Sequence, residues 1–165
     1  MPRVAWVDPF YLSWKARSAG FEARFIELAG HVNSHMPHHV AGLVATALNQ
    51  RKRSIRGSKI LILGVAYKAD IDDVRESPGL DLIEILEKEG ARVEFADPHV
   101  PYILVDGEKR APRRLSPSVL RGADCTVIVT RHRAFDFAMV ARHARTIVDC
   151  RNALAGRKRS GLVRL

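Results

Sequence analysis

Two hydrophobic periods divide the chain. From Asp8 to Arg53 the apolar positions recur at helical spacing. Asp8 followed by Pro9 is a helix start, Phe10, Leu12, Trp14 and Ala16 follow, and Gly20 closes the segment. A second stretch from Arg24 to Ser34 carries Phe25, Ile26, Leu28, Ala29 and Val32. Pro37 either interrupts the next turn or begins a new helix. Val40, Leu43, Val44, Ala47 and Leu48 then resume the helical period. This predicts a helical arm over residues 1–56 that runs into the basic linker Arg51 to Ser58.

From Lys59 the pattern changes to short apolar runs separated by helical stripes. Ile60 to Leu63 is apolar on both faces, as in a buried parallel strand. Ser77-Pro78 predicts a capped helix start, and Leu80, Leu82, Ile83, Ile85 and Leu86 form its stripe. Gly90 is placed to close that helix in a left-handed cap. Val93 to Ala96 predicts a second strand, stopped by Asp97-Pro98. Asp106-Gly107 is a hairpin turn signal. A short helix follows from Ser116 to Arg121, then a strand over Cys125 to Val129, a helix over Phe135 to Arg142 and a strand over Thr146 to Asp149. Strands alternating with helices predict an α/β fold, a Rossmann-like parallel sheet over residues 57–165 preceded by the helical arm.

In an open parallel sheet, ligands bind outside the carboxyl ends of the strands. The first such end is followed by a long polar loop containing Tyr67, Lys68, Asp70, Asp72, Asp73, Arg75 and Glu76. Lys68 offers a point charge for phosphate, and Tyr67 a ring for a sugar or base to pack against. Only Gly64 of a G-x-G-x-x-G pattern is present, so no dinucleotide pyrophosphate cradle is expected. Arg75 is either a bidentate anion donor beside a helix N-terminus or the partner of Asp72 or Asp73 in holding the loop. Thr130-Arg131-His132 and Arg151-Asn152 follow two further strands on the same edge. They are either polar strand ends or parts of one site with Lys68.

The net charge of +9, from 27 Lys and Arg against 18 Asp and Glu, permits an anionic partner. Much of the excess falls in Arg51 to Arg56, Lys109 to Arg114 and Arg157 to Arg159. No helix-turn-helix, zinc-finger or aromatic platform accompanies it. A basic module that binds nucleic acid or a partner protein is therefore the alternative class, with a solvated basic surface as its bland counterpart. No run approaches the roughly 20 apolar residues that span a bilayer, and the start lacks a signal-peptide pattern. A cytoplasmic protein is expected. His31, His35 and His39 are four apart, which on an unbroken helix suits a metal. Pro37 argues against that helix, and no metal site is expected. Cys125 and Cys150 sit in β-branched runs and read as buried fillers.

Several stretches resemble one family. They are DPFYLSWKA (Asp8 to Ala16), RFIELAG with Asn33, Met36-Pro37, LGVAYKADIDDVRESP (Leu63 to Pro78), DPHVP (Asp97 to Pro101), TRHRAFD (Thr130 to Asp136) and DCRN (Asp149 to Asn152). The chain is similar to the C-terminal part of the UDP-glucose/GDP-mannose dehydrogenases. The likeness is strongest to the UDP-N-acetylglucosamine and UDP-N-acetylmannosamine 6-dehydrogenases. These enzymes oxidise a sugar C6 alcohol to a carboxylate with NAD, for surface polysaccharide synthesis.

The resemblance implies that Tyr67, Lys68 and Arg151 contact the UDP-sugar and that Arg75 reaches the NAD. It implies a homodimer built through the helical arm. The family's catalytic cysteine precedes the DP pair by four residues, where this chain has Val4, so no catalytic residue is expected. The glycine-rich loop before that cysteine and the NAD domain have no match here. The resemblance thus predicts a truncated, UDP-sugar-binding portion of a dehydrogenase that is inactive alone.

Overall fold

The computed structural model describes the backbone of residues 7–165 and the side chains from residue 11 onward. The chain divides into two compact units, residues 1–36 and 37–165. In the first, helix α1 (Val7–Ser18) is tied to the start of helix α2 (Arg24–Asn49). The Ser13 hydroxyl donates to Glu27 over 2.6 Å, and Arg17 pairs with the same carboxylate. Both bonds hold the Glu27 carboxyl below its usual range, the Ser13 bond contributing most. Asp8 falls within the first turn of α1, with its side chain outside the described residues; Val4 also lies outside them.

Pro37 neither breaks α2 nor begins it: the helix runs through it to Asn49. A proline removes one backbone hydrogen bond and crowds the preceding turn, at about 3 kcal/mol. Helical periodicity on both sides, and the burial of Val40, Ala41, Val44, Ala47 and Leu48, outweigh that loss. The break invoked against the histidine row is therefore absent. The His31 and His35 rings lie 4.2 Å apart, with His35 Nδ1 within 2.9 Å of the His31 carbonyl.

The second unit holds a five-stranded, wholly parallel sheet in the order β2-β1-β5-β6-β7. Its strands are β1 (Lys59–Leu63), β2 (Arg92–Ala96), β5 (Cys125–Ile128), β6 (Ile147–Asp149) and β7 (Leu162–Arg164). Alternation along β1 feeds two cores. Ile60 and Ile62 pack with Val44, Leu48, Leu82 and Leu86. Leu61 and Leu63 pack with Leu120, Val140, Ile147 and Leu154. Helix α3 (Pro78–Lys88) thus serves one face, and α4 (Pro117–Gly122) and α5 (Phe137–His143) the other.

The expected caps form. The Ser77 hydroxyl accepts from Gly79 N, and the Ser116 hydroxyl from Val119 N. Gly90 has φ +90 just beyond α3. Asp106 and Gly107, both at positive φ, join β3 (Ile103–Val105) to β4 (Glu108–Arg110) in a hairpin. The sequence reading omits β7, whose three residues carry only two apolar side chains. It also starts α5 two residues early, because Asp136 rather than Phe135 is the boundary: its carboxylate caps Met139 N.

Candidate functional site

Because the sheet is parallel, the segments after β1, β2, β5 and β6 all emerge at one edge. The segment after β1 turns first at Gly64, with φ +82. A Cβ there would lie 2.4 Å from the Thr130 carbonyl oxygen, so the glycine lets two loops touch. The Thr130 hydroxyl then donates to the Ala66 carbonyl over 2.7 Å. Tyr67 N donates to the Asp73 carbonyl at 2.7 Å and closes the polar loop on itself.

A buried carboxylate fixes this loop from beneath. Asp97 follows β2, and its side chain is fully buried with His132. Its Oδ2 accepts from Val65 N at 2.8 Å, Ala66 N at 3.2 Å and His132 Nε2 at 3.0 Å. Its Oδ1 accepts from His99 N and Val100 N. One side chain therefore joins the segments after β1, β2 and β5. His132 continues the chain of bonds, since Asp70 N donates to its Nδ1 over 2.9 Å. Asp70, at φ +62, is clasped outside by Arg133 N and Nε. That clasp, the backbone bond first, holds the Asp70 carboxyl below its usual range.

On this frame stand the residues expected at a ligand site. Lys68 is exposed, its ammonium 5.2 Å from the centre of the Tyr67 ring. Partial burial, and secondarily the nearby Glu76, push the Tyr67 hydroxyl up. Arg151 donates Nε to the Val129 carbonyl at 2.8 Å, next to the residue that holds Ala66. The Val129–Thr130 segment thus anchors Arg151 through one residue and Ala66, the residue before Tyr67, through the next. Arg75 takes the loop-holding alternative in this structure. Its Nε and terminal nitrogen grip Asp73 at 2.9 and 2.7 Å, and that grip raises its already high pKa.

His132 reaches the expected edge, but wholly buried rather than facing a ligand. Asp70, His99 and His132 bring donor atoms within 4.8 Å of one another. Both His132 nitrogens are already engaged, Nδ1 by Asp70 N and Nε2 by Asp97, so His132 has no nitrogen to give a metal without breaking one of these bonds. The cysteines are unsuited to nucleophilic work: burial pushes Cys125 up to about 12 and Cys150 up to about 11.

The loop after β1 has Ala66 and Ala69 where a G-x-G-x-x-G cradle has its second and third glycines. Its turn glycine faces Thr130, and the Val65 backbone would lie 3.3 Å from a Cβ at Gly79, in the first turn of α3. A cavity of about 410 Å³ opens nearby among Ala96–Pro98, Pro112–Leu115 and Ala134–Asp136. Tyr67, Lys68 and Arg151 do not line it.

Much of the basic excess has structural work. Arg159 donates to the carbonyls of Ala141, Ala144 and Arg145. Arg51 also reaches Arg145 O, while Arg53 pairs with Asp124 and Arg110 with Glu87. Among the described residues no helix is long and apolar enough to cross a membrane.

Comparison with known proteins agrees with this geometry. Residues 61–156 match the model of the UDP-glucose/GDP-mannose dehydrogenase family, UDP binding domain. The chain is 33% identical over 129 residues to a UDP-N-acetyl-D-mannosamine dehydrogenase of Methanococcus maripaludis, covering 78% of this chain and 27% of that one. The corresponding dehydrogenase of Pyrococcus horikoshii is 31% identical over 153 residues, covering 89% and 34%. The solved structure of UDP-D-ManNAc dehydrogenase from Pyrococcus horikoshii superposes with a TM-score of 0.74 at 28% identity, over 90% of this chain and 35% of that one. The chain therefore spans between about a quarter and a third of the length of these relatives. By this match and this identity the chain belongs to the UDP-glucose/GDP-mannose dehydrogenase family, and residues 61–156 correspond to its UDP binding domain.

Proposed function

We propose that this chain binds a UDP-sugar, of the UDP-N-acetylhexosamine kind, at the carboxyl edge of its sheet. Lys68 neutralises diphosphate charge, Tyr67 provides a packing face, and Arg151 supplies a second cation with directed donors. The observation that supports this reading is the shared anchoring of the two loops on Val129 and Thr130, at the edge from which the exposed Lys68 and Arg151 both come. In the full reaction the bound sugar's C6 alcohol becomes a carboxylate while NAD is reduced. Residues 57–165 supply the nucleotide-sugar side, residues 1–56 are the linking and dimerising arm, and Arg75 exchanges Asp73 for the NAD.

The 165-residue chain alone does not catalyse that oxidation. Val4 stands at the family's cysteine position, Cys125 and Cys150 are held as thiols, and the loop after β1 lacks the G-x-G-x-x-G cradle. The setting is the cytoplasm, and the pathway is polysaccharide synthesis. Trp14, Phe21, Phe25, Leu28 and Val32 are each at least half exposed, which supports self-association through the first unit. Val44 and Leu43, by contrast, belong to the core of the second unit.

The test is a calorimetric titration of the chain with UDP and UDP-N-acetylglucosamine. Lys68→Ala should weaken binding roughly tenfold to a hundredfold, the value of one charge-assisted hydrogen bond. Absence of binding at millimolar UDP, with salt-sensitive binding to any polyanion instead, would favour the basic-module class. NADH formation from a UDP-N-acetylhexosamine by the purified chain would overturn the absence of catalysis.

A further inference from the structure

We propose that His132 is a positioning residue, locked as its Nε2–H tautomer, that sets the Asp70 turn and thereby the stance of Tyr67 and Lys68. The tautomer follows from its two partners. A backbone N–H can only donate, so Nδ1, 2.9 Å from Asp70 N, must present its lone pair. The ring proton then sits on Nε2 and is donated to Asp97 Oδ2 at 3.0 Å. An imidazolium would set one N–H against another. The ring is completely buried, so no water substitutes for either partner.

The turn it holds needs holding. Asp70 has φ +62, a left-handed conformation uncommon outside glycine, though aspartate takes it more readily than most residues. Two groups enforce it from opposite sides: His132 takes its N–H, and Arg133 takes its carboxylate. Lys68 is two residues away in the same loop. Without the His132 bond, the loop retains its outer clasp but loses its inner one.

Two variants separate the two nitrogens. In His132→Gln the amide N–H can still reach Asp97, but nothing accepts from Asp70 N. In His132→Asn the side-chain oxygen takes the place of Nδ1, and Asp97 loses its donor. The consequence for the ligand rests on the UDP-binding reading above, whereas the tautomer and the fixing of the turn do not. In the native chain, nitrogen NMR should show a protonated Nε2 and an unprotonated Nδ1. His132→Gln should speed hydrogen exchange at the Asp70 amide at least tenfold and weaken UDP binding about tenfold, with melting close to native. His132→Asn should melt earlier and keep both the Asp70 protection and the UDP affinity.

A protonated Nδ1, or native Asp70 protection in His132→Gln, would overturn the proposal. Equal losses of UDP affinity in the two variants would do the same. If the native chain binds no UDP, the ring-nitrogen and amide measurements still decide the positioning role, and only the ligand reading fails.

Discussion

Two buried aspartates sit at carboxyl strand ends and hold their loops in different ways. Asp149, the last residue of β6, accepts from Arg151 N, Ala153 N and Leu154 N, all within five residues downstream. Asp97, just after β2, accepts from His99 N and Val100 N nearby, and from Val65, Ala66 and His132 more than thirty positions away. Asp149 shapes one loop. Asp97 makes three loops a single body. A carboxylate that organises only its own turn can be replaced by other turn chemistry; one that joins three segments has no local substitute.

The contrast predicts an order of damage. Asp97→Ala should be the worst, at about 3–4 kcal/mol, because it strands buried N–H groups on three segments. Urea unfolding measures it, and the same variant should lose UDP binding. Gly64→Ala should follow at about 2–3 kcal/mol, since it adds a left-handed alanine pressed onto Thr130. Asp149→Ala should cost about 2 kcal/mol and disturb the Arg151 loop while leaving the Asp70 amide protected. Equal losses for Asp97→Ala and Asp149→Ala would break the distinction between local and joining roles.

Acid sharpens the same picture. The Asp70 carboxyl titrates below its ordinary value because Arg133 donates to it twice, the backbone bond dominating. A depressed folded value means the clasp stabilises fully above the unfolded carboxylate range, near pH 4. It is lost as pH falls further, through the folded value. Followed by NMR, the Asp70 loop should therefore stay clasped at pH 5 and loosen below about pH 4. Arg133→Ala should narrow that shift without abolishing it, since the Arg133 backbone bond remains. Its stability cost should be the smallest here, within the range of exposed ion pairs.

Local chemistry made much of the fold readable. Ser77, Ser116, Gly90 and Asp106-Gly107 act within a few residues of themselves, and each does what its type and neighbours suggest. Pro37 was misjudged because a rule about one residue was set against packing supplied by Val40, Val44 and Leu48 through the second unit's core. The parallel strand β7 was missed because pairing with β6, rather than its own two apolar residues, makes it a strand. Tyr67, Lys68 and Arg151 were legible as site candidates because strand ends in a parallel sheet share an edge. Asp97 was legible only as a strand stop, and His132 only as an edge residue. Their bonds span thirty to sixty positions, and no spacing pattern carries such a pairing.

The most direct test of the central claim is amide chemical-shift mapping of the uniformly labelled chain as UDP is added. The account predicts shifts concentrated in residues 65–76 and 150–154, saturating together, with the Asp124, Arg145 and Arg159 region of the opposite edge unmoved. Shifts centred on that opposite edge, or none at millimolar UDP, would contradict it.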